Sequence, residues 1–344
     1  MDRLPRYRSG DRDLDQRIAA FIDAHVPSDD QDLVFELMVS ALGLARDRAD
    51  RGDIKIANAA LKELRRSFQV FDPYRSLRKA SIFGSARTRP DDPLYAQTVS
   101  VARGLAEHDW MVITGAGPGI MEAGVEGAGP ENSFGAGIKL PFEATTTEFL
   151  ENDPKLIVFR YFFTRKVTFL KESDGFVVMP GGFGTLDEVF ELLTLVQTGK
   201  AQLNPIVLLD VPGGTYWTRW LQFVREELHA RHYISDFDER LFIVTDDVSV
   251  AVDELTGFYA NYQSQRFVDG DLVLRVQRGP NERQLADLNR DFADIVARGE
   301  IHIADASRAE LADDDAPTLD RIRFRFDRHG HARLRALIDT VNEW

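Results

Sequence analysis

Between Asp174 and Lys200 the chain reads D-G-F-V-V-M-P-G-G-F-G-T-L-D-E-V-F-E-L-L-T-L-V-Q-T-G-K. Phe176 to Met179 form an apolar run between turn formers, the pattern of a strand buried on both faces. Leu186, Val189, Phe190, Leu193 and Val196 then recur at helical spacing, so a strand feeds directly into a helix. Two readings of the turn between them stay open. Gly181, Gly182 and Gly184 let backbone approach a ligand where the first free N–H groups of the helix point outward, which suits an anion such as phosphate. Alternatively the turn is merely tight, and Thr185-Leu186-Asp187-Glu188 is a capping box in which Thr185 caps the helix and Glu188 reaches back to it.

The same alternation runs through the middle of the chain. Strands are predicted at Ser81–Phe83, Trp110–Ile113, Gly135–Leu140, Leu156–Phe159, Pro205–Leu209 and Leu241–Val244, with helices between most of them. Strands separated by helices imply an α/β fold: a Rossmann-like, doubly wound parallel sheet that binds ligands at the carboxyl ends of its strands. Residues 1–78 read as an N-terminal helical extension, with helices over Asp11–Val26, from a capping box at Ser28-Asp29-Asp30-Gln31 to about Ala49, and from Gly52 to before Pro73. Residues 79–263 carry the sheet. Residues 264–344 read as a small α+β domain, with a hairpin about Asp269-Gly270, a helix stopping at Gly299 and a closing helix from His331 to Trp344. Arg321, Arg323 and Arg325 alternate with apolar residues there, as on the wet face of a strand.

Several function classes are set aside by what is missing or misplaced. None of the 344 residues is cysteine, which removes disulfide frameworks, thiolate metal sites and cysteine nucleophiles and fits a cytoplasmic location. No apolar run reaches membrane-spanning length, and the start of the chain lacks a signal-peptide core. A net charge of −14 argues against binding a nucleic-acid polymer. Gly115-Ala116-Gly117-Pro118-Gly119 is G-x-G-x-G after the second strand, not a dinucleotide fingerprint, and neither glycine loop ends in the Lys-Ser/Thr of a triphosphatase loop. His229 and His232 read as a solvated pair on a surface helix rather than as metal ligands.

Taken together, Gly84-Ser85, the loop from Gly115 to Glu122, Arg165-Lys166 and the P-G-G-x-G-T-x-x-E run from Pro180 to Glu188 resemble the Lonely Guy family of nucleoside 5′-monophosphate phosphoribohydrolases. The family also carries the older label "lysine decarboxylase-like", although the sequence offers no lysine context that supports pyridoxal phosphate. Leu140-Pro141-Phe142-Glu143, Phe162-Phe163-Thr164-Arg165-Lys166 and Gln197-Thr198-Gly199-Lys200 resemble its longer bacterial members more than its short plant members.

That resemblance implies hydrolysis of the N-glycosidic bond of a nucleoside 5′-monophosphate, without cofactor or metal, by a homodimer or higher homo-oligomer with its sites near the subunit boundary. Arg165 and Glu188 are the implied catalytic pair, and Gly181, Gly182, Gly184 and Thr185 the phosphate cradle. Lys166, Glu143, Gly84, Ser85, Gly115, Gly117, Gly119, Met121 and Glu122 are implied substrate contacts. Ala116 departs from the third consecutive glycine of many members, which leaves the base open among purines, pyrimidines and cytokinin-type bases. Two other readings stand beside this one: a non-catalytic nucleotide or molybdenum-cofactor carrier of related fold, and a scaffold whose appended segments do the work. A carrier needs the glycine cradle but not the Arg165 and Glu188 pair.

Overall fold

The computed structural model describes residues 5–27, 29–140 and 152–344. Ser28 and the Pro141-Phe142-Glu143 motif lie outside them. By contacts the chain divides into two compact units, Met1–Arg65 and Arg66–Trp344.

In the first unit α1 (Arg12–His25) packs on α2 (Gln31–Arg46) through Ile18, Ile22, Phe35 and Val39. Asp11 caps α1 by accepting from the N–H groups of Asp13 and Leu14. At α2 the N-cap is Asp30 and makes no side-chain cap bond. A third helix, α3 (Arg51–Phe71), runs across the division at Arg65.

The second unit is built on a seven-stranded sheet. Its strands are β1 (Lys79–Phe83), β2 (Met111–Thr114), β3 (Ser133–Ile138), β4 (Leu156–Phe159), β5 (Gly175–Val178), β6 (Ile206–Leu209) and β7 (Ile243–Thr245). They lie in the order β4-β3-β2-β1-β5-β6-β7, every pair parallel. The helices of this layer are α4 (Pro93–Glu107), α5 (Ile120–Ala128), α6 (Phe162–Glu172), α7 (Phe183–Gln197), α8 (Tyr216–Phe223) and α9 (Val248–Gly257). Beyond α8 the chain continues as a π-helical turn, Val224–His229.

Because successive strand residues face opposite ways, each strand serves two cores. Ile82, Val112, Val177 and Val207 join Val101, Leu105, Ile120 and Leu255 from α4, α5 and α9. Phe83, Ile113, Phe176, Val178 and Leu208 join Phe169, Val189, Leu192 and Trp217 from α6, α7 and α8. The order also fixes where a ligand can enter. From β1 the chain winds outward to β4, then returns to β5 on the other side of β1 and winds the opposite way. The crevice at this reversal opens at the carboxyl ends of β1 and β5.

A second sheet, antiparallel in the order β10-β11-β9-β8, is formed by β8 (Tyr262–Val268), β9 (Asp271–Val276), β10 (Val296–Ile303) and β11 (Asp320–Phe326). With α10 (Glu282–Asp291), α11 (Arg308–Ala312) and α12 (His331–Asn342) it completes the unit, and Leu272, Leu274, Ile322 and Phe324 share one apolar cluster with Phe83 and Phe169. The boundary expected at 263/264 falls inside β8. The hairpin is as expected: Val268 pairs with Asp271, and Asp269 and Gly270 take φ of 52° and 87°, as a two-residue turn between twisted strands requires.

Two local expectations for this segment are corrected. Helix α10 ends at Asp291, and Gly299 sits instead at φ 77° inside β10, where the register with β11 shifts. The arginine ladder is not uniformly wet. Arg321 is buried and pairs with Glu310 at 3.2 Å, while Arg323 and Arg325 pair with Asp271 at 2.8 and 3.3 Å. Glu310 also receives Arg275 at 3.0 Å. Burial raises the Glu310 pKa, but bonds from Ser307 and Arg275 and the charge of Arg321 outweigh it and hold the carboxyl down to about 2.

Candidate active site

A cavity of about 670 Å³ opens at the switch point, lined by the loops that leave β1, β2 and β5 and by the first turns of α6 and α7. Hydrogen bonds knit those loops together: Ser85 N–H donates to the Pro180 carbonyl at 3.2 Å, and Ile120 N–H to the Ser85 carbonyl at 3.1 Å. Gly119, at φ 70°, caps α5 in a conformation that L side chains rarely adopt, and a Cβ there would lie 2.5 Å from the Ser85 carbonyl oxygen. Ala116 adopts φ 57°, so the departure from a third glycine places an alanine in the left-handed region.

The central motif resolves differently from the capping-box reading. Helix α7 begins at Phe183 with Gly182 as N-cap and no side-chain cap bond, which puts Thr185 inside the helix and removes Glu188 from any cap. Thr185 is buried against Gly181, whose Cβ, if present, would collide with its hydroxyl. Leu186 N–H is the first to find a helical partner, the Gly182 carbonyl at 3.1 Å. The N–H groups of Phe183, Gly184 and Thr185 are therefore left at the positive end of a long helix. Around Gly182 and Gly184 there is open space, and both line the cavity.

Glu188 lies one turn beyond Gly184 on the same side of α7 and lines the cavity as well. Burial pushes its carboxyl up to about 7, against the opposing pull of Arg165 and Lys166. Arg165 approaches from α6, with its guanidinium carbon 5.2 Å from the centre of the Phe169 ring. Its Nε is buried and has no hydrogen-bond partner among the described residues. Burial works to lower its pKa and the Glu188 charge to raise it. Gly115 makes room for this arginine, because a Cβ there would stand 2.5 Å from Arg165 Nη2. A buried cation thus shares the cavity with a carboxyl of raised pKa beside a helix N-terminus. Such a set can hold an anion and can also move a proton.

Of the residues expected at the site, Gly84, Ser85, Gly115, Gly117, Met121, Arg165, Gly181, Gly182, Gly184, Thr185 and Glu188 line this one cavity. Gly119 and Glu122 do not, Gly119 acting instead as the cap described above. Lys166 is also outside the lining: its ammonium pairs with Asp187 at 2.8 Å and Glu191 at 2.9 Å, fastening α6 to α7. Glu143 lies outside the described residues. Arg87, Ile138 and Phe162 line the cavity without having been singled out, although Phe162 stands inside a quoted motif. His229 pairs with Asp236 at 2.9 Å, and no group of three or more His, Cys, Asp or Glu among the described residues is placed to hold a metal ion. No helix among the described residues is long and apolar enough to cross a membrane.

Fold and cavity define a Rossmann-like α/β protein with a glycine-lined cavity at the switch point of its sheet. A family model described as "Possible lysine decarboxylase" matches residues 119–255. The match takes in Arg165-Lys166 and the Pro180 to Glu188 run, two of the motifs that carry the resemblance. The chain is similar to a probable cytokinin riboside 5′-monophosphate phosphoribohydrolase of Oryza sativa subsp. japonica, 33% identical over 85 residues, which are 25% of this chain and 33% of that one. It is also similar to a cytokinin riboside 5′-monophosphate phosphoribohydrolase of Arabidopsis thaliana, 38% identical over 77 residues, 20% of this chain and 35% of that one. The chain thus spans about a third of the length of these two relatives. Among solved structures it is similar to a molybdenum cofactor binding protein from Rippkaea orientalis, with TM-score 0.38 and 17% identity over 52% of this chain and 94% of that one.

Proposed function

We propose that the chain hydrolyses the N-glycosidic bond of nucleoside 5′-monophosphates, releasing the free base and ribose 5-phosphate. The observation that carries this reading is that one cavity beside the N-terminus of α7 holds both Glu188, raised to about 7, and Arg165, whose buried Nε has no hydrogen-bond partner among the described residues. The 5′-phosphate is assigned to the N–H groups of Phe183, Gly184 and Thr185, with the helix dipole adding to their pull. This places the anomeric carbon toward Glu188, one turn along the helix. As the bond to the base breaks, the base leaves with the bonding pair and takes up a proton from solvent, positive charge builds on the sugar, and the ionised carboxylate stabilises it while accepting a proton from the attacking water. Arg165 helps to keep Glu188 ionised and offers free donors to the phosphate or ribose hydroxyls. A carrier has no use for a carboxylate tuned in this way, which favours hydrolysis over the carrier reading.

Incubating the protein with adenosine and with purine and pyrimidine monophosphates, and following free base by chromatography, tests the assignment. Release from the monophosphates and little from adenosine is expected, because binding energy from the remote phosphate is used at the reacting carbon. Equal rates on adenosine and its monophosphate would remove the phosphate role from the cradle.

We infer as well that the active form is a homodimer or a higher homo-oligomer with its sites near the subunit boundary. Phe162 and Phe163 on α6 are 51% and 50% exposed, and Phe183 and Phe190 on α7 are 94% and 40% exposed. Apolar rings this open beside a binding cavity suit burial by a second copy.

A further inference from the structure

We propose that Tyr216 is a positioning residue for the anion cradle, fixing the Gly181–Gly182 peptide so that the Gly182 N–H faces the bound phosphate. The inference rests on the phosphate assignment above. Tyr216 opens α8 and does not line the cavity. Its hydroxyl donates to the Gly181 carbonyl at 2.6 Å, a bond that links positions 35 residues apart.

The geometry of the peptide group gives this bond its consequence. In a trans peptide the carbonyl of one residue and the N–H of the next point in opposite directions, so holding the Gly181 oxygen toward α8 turns the Gly182 N–H the other way. Gly182 N–H has no hydrogen-bond partner among the described residues, and Gly182 lines the cavity. Two adjacent glycines have no side chains to resist a flip of the peptide between them, and a flipped peptide would present a carbonyl oxygen to an anion. An external anchor therefore decides which pole of that dipole meets the ligand.

The anchor is itself held. Tyr216 N–H donates to Asp210 Oδ2 at 2.9 Å, and Val211 N–H to Asp210 Oδ1 at 2.9 Å, with Asp210 buried at the end of β6. The ring packs edge-on against Trp217, with centroids 4.8 Å apart. Asp210, Tyr216 and Gly181 thus form a strut from the sheet to the cradle. None of its members needs to touch the substrate for the strut to matter.

Tyr216→Phe keeps the ring and loses the donor. Calorimetric titration with ribose 5-phosphate, alongside KM and kcat for AMP, reads the effect. Affinity for ribose 5-phosphate is expected to weaken about fivefold to tenfold, the scale of one net hydrogen bond. KM for AMP should rise by a similar factor with kcat largely kept. A partly unfolded variant would instead lower the titrated stoichiometry and kcat while leaving the dissociation constant alone, so folding and positioning separate in one experiment. Thr218→Ala, which removes a hydroxyl bonded to the Thr215 carbonyl on the same helix, should leave both constants unchanged. Equal dissociation constants for wild type and Tyr216→Phe would overturn the inference and leave the proposed function standing. No binding of ribose 5-phosphate and no base release by the wild type would overturn the function, and the inference with it.

Discussion

A carboxyl held near 7 has a thermodynamic signature that needs no substrate. Glu188 has a reference pKa of 4.5 and is raised to about 7 in the fold, chiefly by burial. Between those two values the folded state binds more protons than the unfolded chain, so this residue makes stability fall as pH rises from about 4.5 to about 7. At pH 8 the ionised, buried form costs roughly 2–4 kcal/mol relative to a protonated one. Glu188→Gln, which resembles the protonated form, is therefore expected to melt higher than wild type at pH 8, with the gain vanishing near pH 4.5. Denaturant melts of both proteins at the two pH values check this, and a variant no more stable than wild type at pH 8 contradicts the burial argument. The same titration governs catalysis. If Glu188 acts as the base it must be ionised, so turnover of a monophosphate should fall as pH drops through about 7.

At the scale of elements, the N-terminus of α7 separates stability from binding. Gly184 lies in the first turn with open space where a Cβ would go. Alanine is the better helix former, so Gly184→Ala should stabilise the fold by about 0.5–1 kcal/mol. Its methyl group would enter the space assigned to phosphate, and KM for AMP should rise at least about tenfold. Thermal melts with steady-state kinetics test both halves, and a variant that gains stability with unchanged KM would move the phosphate away from this turn. The strand–glycine–helix unit itself was legible because buried strands and helical spacing leave strong periodic marks. The start of α7 was not, since T-x-x-E satisfies the capping pattern, and only the backbone bond from Leu186 N–H to the Gly182 carbonyl shows that the helix starts earlier. Arg165 and Lys166 are sequence neighbours, yet about 100° apart around α6. One lines the cavity and the other clamps Asp187 and Glu191. Arg321 misled for a related reason: alternation marks a strand but cannot show that Glu310, eleven residues earlier, folds over its polar face. Tyr216 left no local mark, because its partner is a backbone carbonyl on another loop.

On the scale of the whole molecule, the sheet order brings the ends of β1, β2 and β5 together, and residues from Gly84 to Glu188 meet in one cavity through that topology. The exposed phenylalanines beside it carry the expectation of self-association. Light scattering at low micromolar concentration should give at least twice the monomer mass of 38.9 kDa. A fully active monomer would contradict that assignment while leaving the cavity chemistry intact. The central claim is that Glu188 is a catalytic carboxylate, and the most direct measurement is release of free base from the best monophosphate substrate by wild type and by folded Glu188→Gln. Loss of the charge facing the anomeric carbon should lower turnover by about two to four orders of magnitude, as for a missing general base. Turnover by folded Glu188→Gln equal to that of the wild type would contradict the account.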